Sequence, residues 1–196
     1  MLSGVPASAT TTRREELLDG LLALFLAEGF RQFTLADLAA RLRCSKTTLY
    51  ALGQTKEQVT VNVVRHFFRT STDAVEARTA SAASATARLE AYLRAIGREL
   101  RPASAAFMED LGAHAAAREV YERNTELAAG RVRDILTEGV RAGEFREVDT
   151  AFVADVTAST MQRIQTGAVR GATGLHDADA YDALAALVLE GIRAPA

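Results

Sequence analysis

The chain has 196 residues, of which 48% are hydrophobic and 24% charged, and its formal net charge is −2. A chain of this length forms one domain, or one domain with a small module, and buries roughly 70% of its unfolded surface, so its stability needs no disulfide or metal. The single cysteine, Cys44, excludes a disulfide framework and a cysteine-based zinc site. Alanine supplies 39 residues, proline three and tryptophan none, which predicts an all-α fold.

The hydropathy pattern argues against a membrane protein or a secreted one. A membrane span needs about 18 consecutive apolar residues, and the longest apolar run, residues 21–27, ends at Glu28. The N-terminal residues lack the basic segment and the apolar stretch of a signal peptide, so we expect a cytoplasmic protein. Residues 1–12 are small and polar, and we expect them to be disordered.

The charge is distributed unevenly along the chain. Residues 1–70 hold nine basic and six acidic side chains, a net charge of +3, whereas residues 71–196 have a net charge of −5. Both lysines, Lys46 and Lys56, belong to the basic part. A positive charge excess of this size also occurs on ordinary solvated surfaces. It therefore indicates nucleic-acid binding only if the same segment has the fold of a nucleic-acid-binding motif.

The first two predicted helices are bounded by capping residues. Leucines and Phe25 recur at three- and four-residue spacing from Arg13 onward, and Gly29 is suited to end that helix because glycine adopts the left-handed cap conformation without a Cβ penalty. Thr34 is a good N-cap for a second, short helix, and Asp37 stands where a capping box needs an acceptor.

A third helix is predicted after a break of only three residues. Ser45 is its N-cap, Leu49 and Leu52 face inward, and Lys46 and Tyr50 share the exposed face. Two short helices, a tight turn and a polar, cationic outer face are typical of a helix-turn-helix. The alternative at this point is an ordinary helical hairpin without a binding role.

Residues 13 to about 68 resemble the DNA-binding domain of the tetracycline-repressor (TetR) family of transcriptional regulators. The matching residues are Leu24-Phe25, Glu28-Gly29-Phe30, Phe33-Thr34-Leu35, Asp37-Leu38-Ala39, Ser45-Lys46-Thr47-Thr48-Leu49-Tyr50 and Lys56-Glu57. The resemblance implies a three-helix DNA-binding domain at residues 13–55 and a helical ligand-binding and dimerisation domain at residues 56–196. It also implies two sets of DNA contacts. The major-groove set is Lys46, Thr47, Thr48 and Tyr50, and the phosphate set is Thr34, Arg43, Ser45 and Lys56.

The chain departs from the family pattern at three places. Arg43 stands in the turn where the family commonly has glycine, so we expect a strained backbone there. Thr47 replaces another common glycine and adds a methyl group suited to a thymine. Ala51-Leu52-Gly53 replaces an aromatic cluster that clamps the DNA backbone.

Further helices are predicted along the rest of the chain. They cover residues 89–100, Ser104 to His114, Arg118 to about 142, a segment that follows Asp149, and a last one capped by Asp177, with a break over residues 171–176. Among the side chains predicted to be buried are Leu127, Phe152, Val156 and Leu187.

Small residues on the last two long helices, such as Ala154 and Ala185, favour close helix packing. Such stripes fit the homodimer that the resemblance implies, and they equally fit the core of a single chain. A DNA reader separately requires two copies, because two half-sites lie one helical turn apart.

A small-molecule effector is also expected, with an apolar or aromatic effector slightly favoured. The candidate contacts are Tyr92, Phe107, Met108, His114, Tyr121, Met161 and Gln165, each of which also fits ordinary core packing. The three histidines are not paired at helical spacing, so no metal site is predicted.

The sequence contains no Gly-rich phosphate loop after a strand, no nucleophile elbow and no His-Glu-x-x-His motif, so we expect neither an enzyme nor a cofactor. The expected protein is a homodimeric repressor that a small molecule releases from a double-stranded DNA operator. The alternatives are a helical protein-interaction module, or a regulator that has lost its ligand response.

Overall fold

The computed structural model describes residues 7–193, with side chains from residue 13 onward. Within this range the chain forms ten α-helices and no β-strand, which confirms the all-α prediction. The helices are α1 (Ala7–Glu28), α2 (Leu35–Arg41), α3 (Lys46–Tyr50), α4 (Lys56–Thr79), α5 (Ala85–Leu100), α6 (Ala105–Ala113), α7 (Ala115–Arg141), α8 (Thr150–Gln165), α9 (Ala168–Thr173) and α10 (Asp177–Ile192).

The chain divides into two compact units. The first runs to Phe68 and takes in residues 103–120, and the second consists of residues 69–102 and the chain from Tyr121 onward. The first unit therefore extends past the boundary expected after residue 55, and it includes α6, which lies far along the sequence.

The first unit is built around aromatic side chains. The ring of Phe30, in the turn after α1, lies 5.3 Å from that of Phe25 and 6.1 Å from that of Phe107 on α6. Phe107 also meets Phe67 on α4, edge to face, at 5.8 Å. Such tilted and edge-to-face contacts are the favoured geometries of aromatic pairs, and they join α6 to α1 and α4.

Helix α1 begins earlier than the sequence predicted, at Ala7 instead of near Arg13. The small residues 7–12, which were expected to be disordered, form its first turns. The same expectation for residues 1–6 lies outside the described residues.

The second unit packs α10 against α5. Gly97 permits this close approach, because a Cβ at this position would lie 3.1 Å from the Ala178 carbonyl oxygen and 3.2 Å from the Tyr181 Cβ. Three residues of α7, Val132, Ile135 and Leu136, are fully buried.

Four side chains that were predicted to be buried are exposed: Leu127 (62%), Phe152 (67%), Val156 (45%) and Leu187 (71%). Helical spacing identifies the apolar face of a helix. It does not show whether that face packs against the rest of the same chain or is exposed at the surface.

The region around α9 also differs from the prediction. Residues 171–173, placed in a break, belong to α9, which lies between Gly167 (φ 73°) and Gly174 (φ 77°). The N-cap of α10 is His176, not Asp177. The Asp177 carboxylate instead accepts a hydrogen bond from Arg170 on α9 at 2.7 Å.

Helix α7 begins at Ala115, three residues before the predicted Arg118. The break after α6 is a single residue, His114, whose extended backbone (ψ 104°) separates the two helices.

Candidate functional site

The predicted capping box of α2 is present. The Thr34 Oγ1 accepts a hydrogen bond from the Asp37 backbone N–H at 3.2 Å, and the Asp37 carboxylate accepts one from the Thr34 N–H at 2.8 Å. The carboxylate also accepts a hydrogen bond from the Thr34 hydroxyl. This hydrogen bond is the main reason that the pKa of Asp37 is lowered. The start of α2 is thus fixed by its own side chains.

The turn between α2 and α3 places Arg43 in the left-handed region, with φ at 50°. Arg43 is the one non-glycine residue with a positive φ in the described part of the chain, as expected from the glycine common at this place. The turn closes through the Cys44 N–H, which donates to the Ala39 carbonyl at 2.9 Å. Because a Cβ disfavours this backbone conformation, the turn stores strain at an exposed arginine.

Helix α3 separates its polar side chains into two groups. The Ser45 Oγ accepts the Thr48 N–H at 3.1 Å and lies 2.9 Å from the Thr48 hydroxyl, so both side chains take part in the N-cap. Lys46, Thr47 and Tyr50 are exposed instead. Leu49 and Leu52 are buried beneath them, as predicted. The outer face of α3 therefore presents a cation, a small hydroxyl with a methyl group, and a phenol.

A groove of about 560 Å³ runs beside this face. It brings together three of the predicted DNA contacts, Thr34, Lys46 and Lys56, and adds Arg31, which the sequence analysis did not single out. Arg31 belongs to the turn after α1, where a basic side chain carries no periodic signal. The groove thus has three basic side chains and the potential to hold an anion such as a backbone phosphate.

Lys56 already has an internal partner. Its Nζ donates to the Arg31 carbonyl oxygen at 2.7 Å, and partial burial lowers the pKa of Lys56. An ammonium group has three N–H donors, so two remain for a phosphate. The predicted phosphate contact and this structural bond are compatible.

The seven residues predicted to contact an effector are divided between the two units. Phe107, Met108 and His114 are in the first unit, where the His114 ring lies 5.8 Å from that of Phe30 and its Nδ1 accepts the Ala117 N–H. Phe107 and His114 thus take part in the aromatic contacts of the first unit, and Met108 is buried. The other four, in the second unit, are Tyr92, Tyr121, Met161 and Gln165.

The second unit contains a buried polar cluster that includes two of those four residues. The Gln165 side-chain amide donates to the Thr125 hydroxyl, and that hydroxyl donates to the Tyr121 carbonyl oxygen at 3.0 Å. Burial raises the pKa of Tyr181, and a hydrogen bond with Gln165 opposes that rise. Burial likewise raises the pKa of Tyr121 and of Tyr92. All three phenols are neutral at physiological pH, as tyrosines ordinarily are, and their burial reinforces this state.

Thr125 and Tyr181 belong to this cluster but were not predicted from the sequence. Tyr181 is an aromatic residue within an alanine-rich helix, which is the one signal that singles it out; Thr125 has no comparable signal.

The second unit also has an apolar groove of about 400 Å³, lined mainly by residues of α8, α9 and α10. Six large hydrophobic side chains are exposed in the described part of the chain, and four of them line this groove. They are Phe152, Val156, Leu175 and Leu187. Clustered exposure of this kind marks an interaction surface, whereas single exposed apolar residues are common. We call this feature the α8–α10 groove.

Comparison with solved structures identifies the fold. The chain is similar to a TetR-family transcriptional regulator from Cytophaga hutchinsonii, with a TM-score of 0.72 and 16% identity over 98% of this chain and 100% of that one. It is also similar to a regulator from Saccharomonospora viridis in complex with choline (TM-score 0.75, 16% identity, 95% and 100% covered). A third similar structure is the fatty acid degradation regulator FadR from Bacillus halodurans (TM-score 0.68, 15% identity, 99% and 100% covered).

The chain therefore has the fold of the TetR-family transcriptional regulators, over nearly its whole length. No protein-family model matches the sequence, and no curated protein matches it either. Among the described helices, none is long and apolar enough to cross a membrane. Nor do the described residues include a group of three or more His, Cys, Asp or Glu side chains arranged to hold a metal ion.

Proposed function

We propose that this chain is a homodimeric, cytoplasmic DNA-binding regulator of transcription, and that it acts as a repressor. The observation that carries the proposal is the outer face of α3, where Lys46, Thr47 and Tyr50 are exposed on a helix held by the Ser45 cap. A cation, a methyl group and a phenol on one exposed helix suit the edges of bases in the major groove.

The proposal assigns separate roles to the residues around α3. Lys46, Thr47 and Tyr50 contact bases, and Thr48 lies beside them while completing the N-cap. The phosphate contacts are Thr34, Arg43, Ser45 and Lys56, to which the groove beside α3 adds Arg31. Phosphate contacts position the protein, and base contacts give it sequence specificity.

The homodimer is proposed to form through the α8–α10 groove. The groove exposes apolar side chains, and Phe152 and Leu187 are more than half exposed. A second copy of the same surface would cover them in a two-fold interface, in which each residue is used twice. Two half-sites of DNA would then meet two copies of α3.

An effector is proposed to bind in the second unit, close to Tyr92, Tyr121, Met161 and Gln165. Large apolar side chains with a few buried hydrogen-bonding groups are the usual lining of a small-molecule site, so the effector class we propose is apolar or aromatic. It would act by favouring a separation of the two α3 helices that does not fit the operator. The proposal includes no enzymatic activity and no cofactor.

The second candidate function is a helical protein-interaction module, which the α8–α10 groove alone would also support. Such a module needs no cationic outer face on α3. A regulator without ligand response would bind DNA in the same way but ignore every effector.

Fluorescence anisotropy tests the proposal. The purified protein is titrated against the duplex that lies immediately upstream of its own coding sequence, with a scrambled duplex as control, at two salt concentrations. Tight binding to the first duplex alone, at two protomers per site, supports the proposal. If the protein binds both duplexes equally and weakly, binding sequences are next selected from a pool of genomic fragments. A selection that enriches no sequence contradicts the proposed function.

A further inference from the structure

The turn that connects α1 to α2 is held by a residue 80 positions further along the chain. The Asp110 Oδ2 on α6 accepts the backbone N–H of Phe30 at 2.6 Å and that of Arg31 at 2.8 Å. Two N–H groups on one carboxylate oxygen form a charge-assisted pair, which is stronger than a pair of neutral hydrogen bonds. The turn is thus tied to α6 by its backbone.

The backbone of the turn has the shape that this contact requires. Gly29 has φ at +77°, and a Cβ there would lie 2.6 Å from the Asp110 carboxylate oxygen and 3.3 Å from the Ala106 Cβ. A residue with a side chain would strain the turn and push the carboxylate away at the same time. Gly29 therefore ends α1 and leaves room for Asp110.

The same turn is held from its other side. The Lys56 Nζ, at the start of α4, donates to the Arg31 carbonyl oxygen at 2.7 Å. The backbone at residues 30 and 31 thus donates two N–H groups to the Asp110 carboxylate of α6 and accepts a hydrogen bond from the Lys56 ammonium group of α4. We call this arrangement the Asp110 clasp.

The clasp lies next to the groove assigned to DNA. Arg31, whose backbone takes part in the clasp, and Lys56 both line that groove, together with Lys46 of α3. The conformation of the turn therefore decides where the Arg31 side chain and the start of α2 stand relative to Lys46.

We infer that Asp110 is a positioning residue for DNA binding: it fixes the turn over residues 29–31, and hence the phosphate-contacting groove, without touching DNA itself. The inference rests on the proposed function. Without the carboxylate, the turn must be ordered by the DNA at each binding event, and affinity falls by the cost of that ordering. A residue outside the predicted 13–55 domain thus takes part in shaping its surface.

The test compares Asp110→Ala with Glu109→Ala, which removes an equal charge from the neighbouring exposed position on α6. Amide hydrogen exchange at Phe30 and Arg31 reports the clasp directly. DNA affinity is measured by anisotropy at a temperature well below both unfolding midpoints, so that loss of folded protein does not contribute. Asp110→Asn keeps an acceptor oxygen and serves as the rescue variant. If Asp110→Ala does not fold, Asp110→Asn replaces it in the comparison with Glu109→Ala.

We expect both amides to exchange at least tenfold faster in Asp110→Ala, and DNA affinity to fall about tenfold relative to Glu109→Ala, with Asp110→Asn between the two. Unchanged exchange at both amides overturns the clasp. Faster exchange with the affinity of Glu109→Ala overturns the positioning role and leaves DNA binding itself intact. If the unaltered protein selects no DNA sequence, the proposed function fails, and the positioning role fails with it.

Discussion

Replacing Leu187 with glutamate is expected to dissociate the proposed homodimer. Leu187 is 71% exposed on α10 and lines the α8–α10 groove. Full burial of a leucine side chain is worth about 1.5–3 kcal/mol, so the part still exposed can contribute about 1–2 kcal/mol to an interface. In a two-fold interface the residue counts twice, which gives about 2–4 kcal/mol, or roughly a 30- to 1,000-fold weaker dimer. The two buried carboxylates would add to this loss.

The assay is sedimentation velocity over a range of protein concentrations, with circular dichroism to verify the helical fold. Leu127→Glu is the matched control, because Leu127 is 62% exposed on α7 but does not line the groove. We expect Leu187→Glu to sediment as a monomer at concentrations where Leu127→Glu and the unaltered protein are dimers. The reasoning is refuted if both variants dimerise alike, or if the unaltered protein is monomeric at tens of micromolar.

Two further predictions concern stability. Arg43→Gly removes a Cβ from a backbone at φ 50°, so we expect the free energy of unfolding in urea to rise by about 1 kcal/mol; a lower value than that of the unaltered protein would contradict the strain. Glu144 accepts the backbone N–H groups at the start of α5, which lowers its pKa. Its stabilising contribution is present above the ordinary carboxyl pKa and is lost as the pH falls through the lowered value. Glu144→Gln should therefore be less stable than the unaltered protein at neutral pH and equally stable in strong acid, as measured by thermal melts across the pH range. A stability gap that widens towards acid would be the opposite of this expectation.

The sequence was most informative where a structure depends on neighbouring residues. The Thr34–Asp37 capping box, the Ser45 cap and the positive φ of Arg43 are all local, and all three are present. Each involves a hydrogen bond or a backbone conformation within four residues, so the order of residue types largely determines it.

The sequence was least informative about contacts between distant residues. Asp110 could not be connected with Phe30, because 80 residues separate them and a lone acidic residue on a helix has no distinguishing pattern. The open side of α10 shows the same difficulty: Leu187 has the spacing of a core residue, yet the chain leaves it uncovered. Helix α9 was missed because Gly171, which favours a break by propensity, lies inside it.

The measurement that tests DNA reading most directly is the salt dependence of binding for Lys46→Ala. Its control is Arg123→Ala, which removes one exposed positive charge from the second unit. We predict that Lys46→Ala binds the selected duplex at least about tenfold more weakly and discriminates less between that duplex and a scrambled one. Because Lys46 also lines the groove proposed to hold a backbone phosphate, the salt slope should be shallower by about one counterion. Arg123→Ala should match the unaltered protein. Equal affinity and slope for Lys46→Ala and Arg123→Ala would contradict the assignment of α3 as the DNA-reading helix.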